Sequence, residues 1–209
     1  MLSSINKFRE WASKFSIPSQ IGEWECDYPR WGDIYSQVIE FLNLTSYLLW
    51  TDREIADLLY IIGRDNETQH LAELLGEKTE RLIWILQKCL DSHESDAKWQ
   101  LIVEAGKLKE WDQSLEALIY RLYFDKDYYV QRRALLELAR KKSKLTLELA
   151  GYSWKTGEQY QRMCVLVALH DINYNGISEF LSSALKSEQE YLVQTAERIS
   201  KERLKELSE

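Results

Sequence analysis

The sequence is poor in residues that break regular structure, with only 8 glycines and 2 prolines among 209 residues. A β-rich chain of this length would need many more turn residues, so the scarcity predicts long helices and short connections. Long apolar runs are lacking too. The longest, such as Leu48-Leu49-Trp50 and Leu58-Leu59-Tyr60-Ile61-Ile62, fall well short of the roughly 18–20 residues that span a bilayer. The first 15 residues carry Lys7, Arg9, Glu10 and Lys14 in an amphipathic pattern with no apolar h-region, so no signal peptide is expected. Cys26, Cys89 and Cys164 are odd in number and far apart, which fits reduced thiols in a cytoplasmic protein and argues against a disulfide framework. His70, His93 and His170 stand apart from one another and from the cysteines, without metal-ligand spacing. No glycine-rich phosphate loop is present. Gly63 and Gly76 read as helix terminators. No metal, no cofactor and no catalytic group is therefore expected.

What is abundant is charge of one sign and aromatic surface. Net charge is −7. Residues 1–110 hold 12 Lys and Arg against 19 Asp and Glu, while residues 111–209 hold 15 of each, so the acid excess lies in the N-terminal half. Such a field repels nucleic-acid phosphates and attracts basic proteins. There are 8 Trp and 12 Tyr, whose polar atoms need partners, so some rings are expected at or near the surface.

Apolar spacing of three and four predicts helices along most of the chain. Ile5, Phe8, Trp11, Ala12 and Phe15 form one face over 4–15. Residues 17–30 form the longest non-periodic stretch and contain both prolines, with Pro29 placed to open the next helix. Thr51-Asp52-Arg53-Glu54 is a capping box. Asn66 is expected to cap a helix over 71–75, closed by Gly76. Further helices are predicted over 79–90, 96–108, 112–124, 127–142, 144–153, 157–172, 177–186 and 188–207. Together they make an all-α chain of about 10–12 helices.

The second half is weakly self-similar. Gln100, Gln131, Gln161 and Gln194 each follow an apolar residue or tyrosine, at spacings of 31, 30 and 33. A period in the thirties made of two helices marks a helical solenoid. The stretch from Asp127 to Ala139 (DYYVQRRALLELA) resembles the second helix of a HEAT repeat: an Asp cap, then an apolar residue, an Arg position, and Ala134, Leu135 and Leu138 facing a neighbouring repeat. Residues 161–169 and 191–196 are looser copies. The resemblance covers 95–207 and implies a right-handed solenoid of antiparallel helix pairs. Residues 1–94 are read as divergent helices of the same single domain over 1–209, and a monomer is expected.

Two surfaces are candidates for partner contact. The segment around 23–31 alternates acids with large rings: Glu23, Trp24, Glu25, Asp27, Tyr28 and Trp31. Loop tryptophans and tyrosines bury much area at small entropic cost, although the same rings could instead cap the end of the array. Asp52, Asp65 and Glu67 extend the acidity. The alternative face carries Gln100, Gln131, Arg132 and Arg162. The acids beside Cys26 should raise its pKa and blunt its reactivity. Arg140, Lys141, Lys142 and Lys144 form the one basic cluster, at a helix C-terminus and followed by no aromatic platform.

The acidic half and the absence of catalytic motifs point to a non-enzymatic protein-binding module for a basic partner. One version is a bacterial immunity or antitoxin-type inhibitor that sequesters a basic toxin. The competing reading follows from the HEAT-like resemblance, which extends to alkylation-repair DNA glycosylases. It would make Arg132 a phosphate contact, with Trp99, Trp111 and Asp112 near the lesion, and it is disfavoured by the acid excess. A scaffold subunit of a larger complex is the third reading.

Overall fold

The computed structural model describes residues 3–15 and 24–206. They form twelve α-helices and, among the described residues, no strand. Among the described residues, no helix is long and apolar enough to cross a membrane. The chain divides into two compact units, Met1–Lys109 and Glu110–Glu209.

The first unit holds α1 (Ser3–Ala12), α2 (Trp31–Leu44), α3 (Asp52–Arg64), α4 (His70–Gly76), α5 (Thr79–Cys89) and α6 (Ser95–Lys107). Packing centres on α6, which lies against α3, α4 and α5, while α2 joins α1 to α4. The periodic apolar faces are buried: Ile5, Phe8, Ile34, Leu58, Ile62, Leu82, Ile85 and Leu101 are all at or below 1 % exposure. The capping box forms as its sequence requires. The Thr51 hydroxyl accepts from the Glu54 amide, and the Glu54 carboxylate accepts from the Thr51 amide at 2.9 Å.

Three local expectations are corrected. Asn66 is exposed and does not cap α4. Asp65 does that work, its Oδ2 accepting the Leu71 amide at 2.8 Å while Gln69 enters the helix in a left-handed conformation. Pro29 precedes α2, whose N-cap is Arg30. Gly63 lies inside α3 rather than ending it. A Cβ there would sit 3.4 Å from the Ala97 backbone nitrogen, in ordinary van der Waals contact with α6.

The second unit holds α7 (Gln113–Tyr123), α8 (Tyr128–Arg140), α9 (Thr146–Lys155), α10 (Gln159–Asp171), α11 (Ile177–Leu185) and α12 (Glu190–Glu206). Here α10 is central and packs on α8, α9, α11 and α12, with α7 against α8. Asp112 and Asp127 cap α7 and α8 through their carboxylates. Ala134, Leu135 and Leu138 are fully buried, as expected. The helices α8 and α10 end alike. Lys142 and Asn173 adopt left-handed φ of 54° and 53°, and the next amides, Ser143 and Tyr174, both bond at 2.9 Å to the carbonyls of Leu138 and Leu169. This is the Schellman closure, which asparagine enters more readily than lysine. The two endings lie 31 residues apart, so the self-similarity read from glutamines extends to backbone geometry.

Candidate functional site

The acidic and aromatic residues of the first unit converge on a cavity of about 320 Å³. It lies where the segment before α2, the first turns of α2 and the α3–α4 connection meet. Trp31 and Tyr35 sit one turn apart on α2, which brings their rings together, stacked at 5.7 Å. The Trp31 indole donates to the Glu25 carbonyl at 2.9 Å, tying the Trp24–Asp27 3-10 turn to the helix. Tyr35 donates to Asp65 Oδ1 at 2.8 Å and lies 3.0 Å from the Thr68 hydroxyl. Burial pushes the Tyr35 phenol up to about 12, so it remains a neutral donor at physiological pH. The His70 ring meets Tyr35 edge-on at 5.2 Å.

Charge in the cavity is divided unevenly. Arg64 pairs with Glu94 and stands over the Tyr60 ring at 4.3 Å, as does Arg9, which pairs with buried Asp57. The nearby guanidinium groups are thus engaged. Asp65 is buried and its oxygens serve Tyr35, Thr68 and the Leu71 amide. Glu25 and Glu67 also line the cavity. Burial raises the Glu25 carboxyl above its ordinary value, more than the neighbouring Arg64 charge and a hydrogen bond to its own backbone lower it. A carboxylate held in that state gains from a cation brought alongside it.

Of the residues expected to bind, Glu25, Trp31, Asp65 and Glu67 line this cavity. Asp27 is exposed nearby, and Asp52 is exposed in the first turn of α3; neither lines the cavity. Glu23 lies outside the described residues. Trp24 and Tyr28 turn inward instead. Trp24 stacks on Trp11 at 5.6 Å with 7° between the planes, and Tyr28 meets Phe8 edge-on at 4.9 Å, leaving Tyr28 only 5 % exposed. These two rings cap the core of the first unit. Tyr35, Arg64 and Thr68 are cavity residues that the sequence reading did not name. The i,i+4 spacing of Trp31 and Tyr35 was the available signal for one of them.

The alternative face divides as well. Gln100 is buried and its amide donates to the Ile62 carbonyl at 2.8 Å, so it joins α3 to α6 and offers nothing to a partner. Gln131 is half-buried and donates to the Asp125 carbonyl at 2.7 Å, closing the turn before α8. Arg162 packs on the Trp154 ring at 5.2 Å and donates to that residue's carbonyl. Arg132 lies over the rings of Tyr129 and Tyr160, at 5.0 and 5.7 Å.

Three residues of the competing reading also have structural partners. Trp99 is 6 % exposed and donates to Asp96, Asp112 caps α7, and Trp111 lies under the Lys141 ammonium at 5.5 Å. That last contact corrects the view of the basic cluster as lacking an aromatic neighbour: Trp111 and Tyr120 face Lys141, Lys142 and Lys144 across a shared cavity. Cys26 is exposed, and Cys89 and Cys164 are core thiols. Among the described residues, no cluster of His, Cys, Asp and Glu is placed to hold a metal ion. No family model, curated protein or solved structure matches the chain.

Proposed function

We propose that the chain is a non-enzymatic protein-binding module of the HEAT-like solenoid type, built from antiparallel helix pairs, whose acidic N-terminal half captures a basic protein. The observation that carries this reading is the cavity that Glu25 and Glu67 line together with the stacked rings of Trp31 and Tyr35. A lysine or arginine entering it gains carboxylate attraction and cation–π contact together. The surrounding acid excess raises the encounter rate with a positively charged partner and makes association salt-sensitive. An immunity or antitoxin-type inhibitor that sequesters a basic toxin is the specific form this reading takes.

The test is affinity capture from the source organism with the wild-type chain and with Glu25→Lys, Glu67→Lys as bait. The expected result is a basic protein retained by the wild type, released by moderate salt and absent from the variant lane. Capture only of neutral or acidic proteins, or equal capture by both baits, would overturn the reading. Circular dichroism of the variant separates a lost site from a lost fold.

A further inference from the structure

The second unit carries a surface of opposite character. Tyr129, Tyr160 and Tyr191 recur at a spacing of 31 residues, each the second residue of its helix in α8, α10 and α12. Because α10 packs against both α8 and α12, the three tyrosines fall along one face. Tyr160 and Tyr191 are 49 % and 51 % exposed and lie stacked at 6.4 Å. Beside them runs a groove of about 400 Å³, with Arg132 and Arg198 among its walls and Leu136, Met163 and Val167 among its apolar lining.

Among the described residues, no carboxylate lines this groove. Among the described residues the Arg132 guanidinium has no acidic partner and is held only over two tyrosine rings. Arg198 pairs with Glu202 along α12, both carboxylate oxygens accepting from its Nη1 at 3.0 Å in an exposed i,i+4 contact that water and salt screen and that an incoming carboxylate can share. Cys164 sits at the groove with its thiol pushed up to about 12 by burial, so it contributes apolar surface rather than a nucleophile.

From these features we infer that the groove formed by α8, α10 and α12 docks an acidic peptide segment of a partner protein. An aliphatic side chain of that segment would sit against Met163 and Val167, and its flanking carboxylates would meet Arg132 and Arg198. Charge complementarity selects an anionic occupant, and the aliphatic lining selects one with an apolar anchor. Methionine in that lining suits an occupant of irregular shape. A nucleic acid fits less well. The unit has no basic excess, with 15 Lys and Arg against 16 Asp and Glu over 110–209, where a nucleic-acid binder ordinarily carries one.

The test is fluorescence anisotropy with the full chain and three labelled probes: a peptide mixing Asp, Glu and Leu, the same peptide with Ala for Leu, and a poly-dT oligonucleotide. The expected order is the Leu peptide first, then the Ala peptide, then the oligonucleotide. Arg132→Gln should weaken the Leu peptide at least about tenfold, as loss of a charge-assisted contact does, with an unchanged melting temperature. Met163→Ser should reduce the Leu peptide toward the Ala peptide and leave the latter nearly unaffected. The inference is overturned by absence of peptide binding, by equal affinity in wild type and Arg132→Gln, or by tighter binding of the oligonucleotide. All three readouts concern residues of the second unit, so they are independent of the outcome at Glu25 and Glu67.

Discussion

The two units use tryptophan and tyrosine for different ends. In the first, rings cluster around Phe8: Trp11, Tyr28 and Trp31 lie within 5.5 Å of it, and Trp24 closes over Trp11. Most of that aromatic surface is removed from water to complete a core, while Trp31 and Tyr35 line the cavity. In the second, Tyr160 and Tyr191 stand half in solvent and Arg132 rests on one of them. The same residue types therefore stabilise the fold in one unit and present a surface in the other. Composition leans the same way, since 6 of the 8 Trp lie in the first unit and 8 of the 12 Tyr in the second, but what each ring meets decides its part. Charge divides in parallel, with carboxylates at the opening of the first unit and guanidinium groups at the groove of the second.

Core substitutions should give the largest effects and test whether both units rest on comparable packing. Leu82→Ala and Leu135→Ala, each removing a fully buried side chain, should cost about 2–5 kcal/mol in denaturant unfolding. A cost below about 0.5 kcal/mol at either site would show that unit to be looser than described. The aromatic contrast comes next. Trp24→Ala should cost about 2–3 kcal/mol through lost burial and stacking, whereas Tyr160→Ala, exposed by half, should cost no more than about 1 kcal/mol. Equal costs would erase the distinction between capping and presenting rings.

Smaller effects probe the helix ends. Lys142→Gly should stabilise the second unit by about 0.5–1 kcal/mol, because glycine enters the left-handed conformation without the Cβ penalty. Asn173→Gly should change stability by less, since asparagine already tolerates that region. A loss of stability at Lys142 would mean that its side chain does more than its backbone. The smallest effect is a pH dependence. The Glu25 carboxyl is held above its ordinary value in the unliganded chain, and a bound cation would lower it. Affinity for a basic partner should therefore rise as pH climbs through the Glu25 titration, with proton release on binding in that window. The dependence should vanish in Glu25→Gln. Calorimetry in two buffers of different ionisation enthalpy measures it, and affinity that falls with rising pH would contradict the cation reading of the cavity.

The sequence by itself determined the helices of this protein. Apolar positions at three- and four-residue spacing, the Thr51–Glu54 box and the Asp112 and Asp127 caps are local instructions. Each acts within one or two turns, so most helix limits agree to within a residue or two. The charge asymmetry was equally legible, because summed charge needs no coordinates. Local signals failed where the deciding contact was distant. Asn66 has the right chemistry for a cap, but Asp65 is the residue that the α3 terminus and Tyr35, 30 positions earlier, hold against the Leu71 amide. Gln100 repeats in sequence like a surface position, yet its amide is drawn inside to a carbonyl 38 residues away. Only the tertiary structure sorted the rings of the 24–35 segment into two that close a core and two that line a cavity. That sorting depends on which surfaces Phe8, Trp11 and the α3–α4 connection present, and side chains brought together from separate helices leave no periodic trace along the chain.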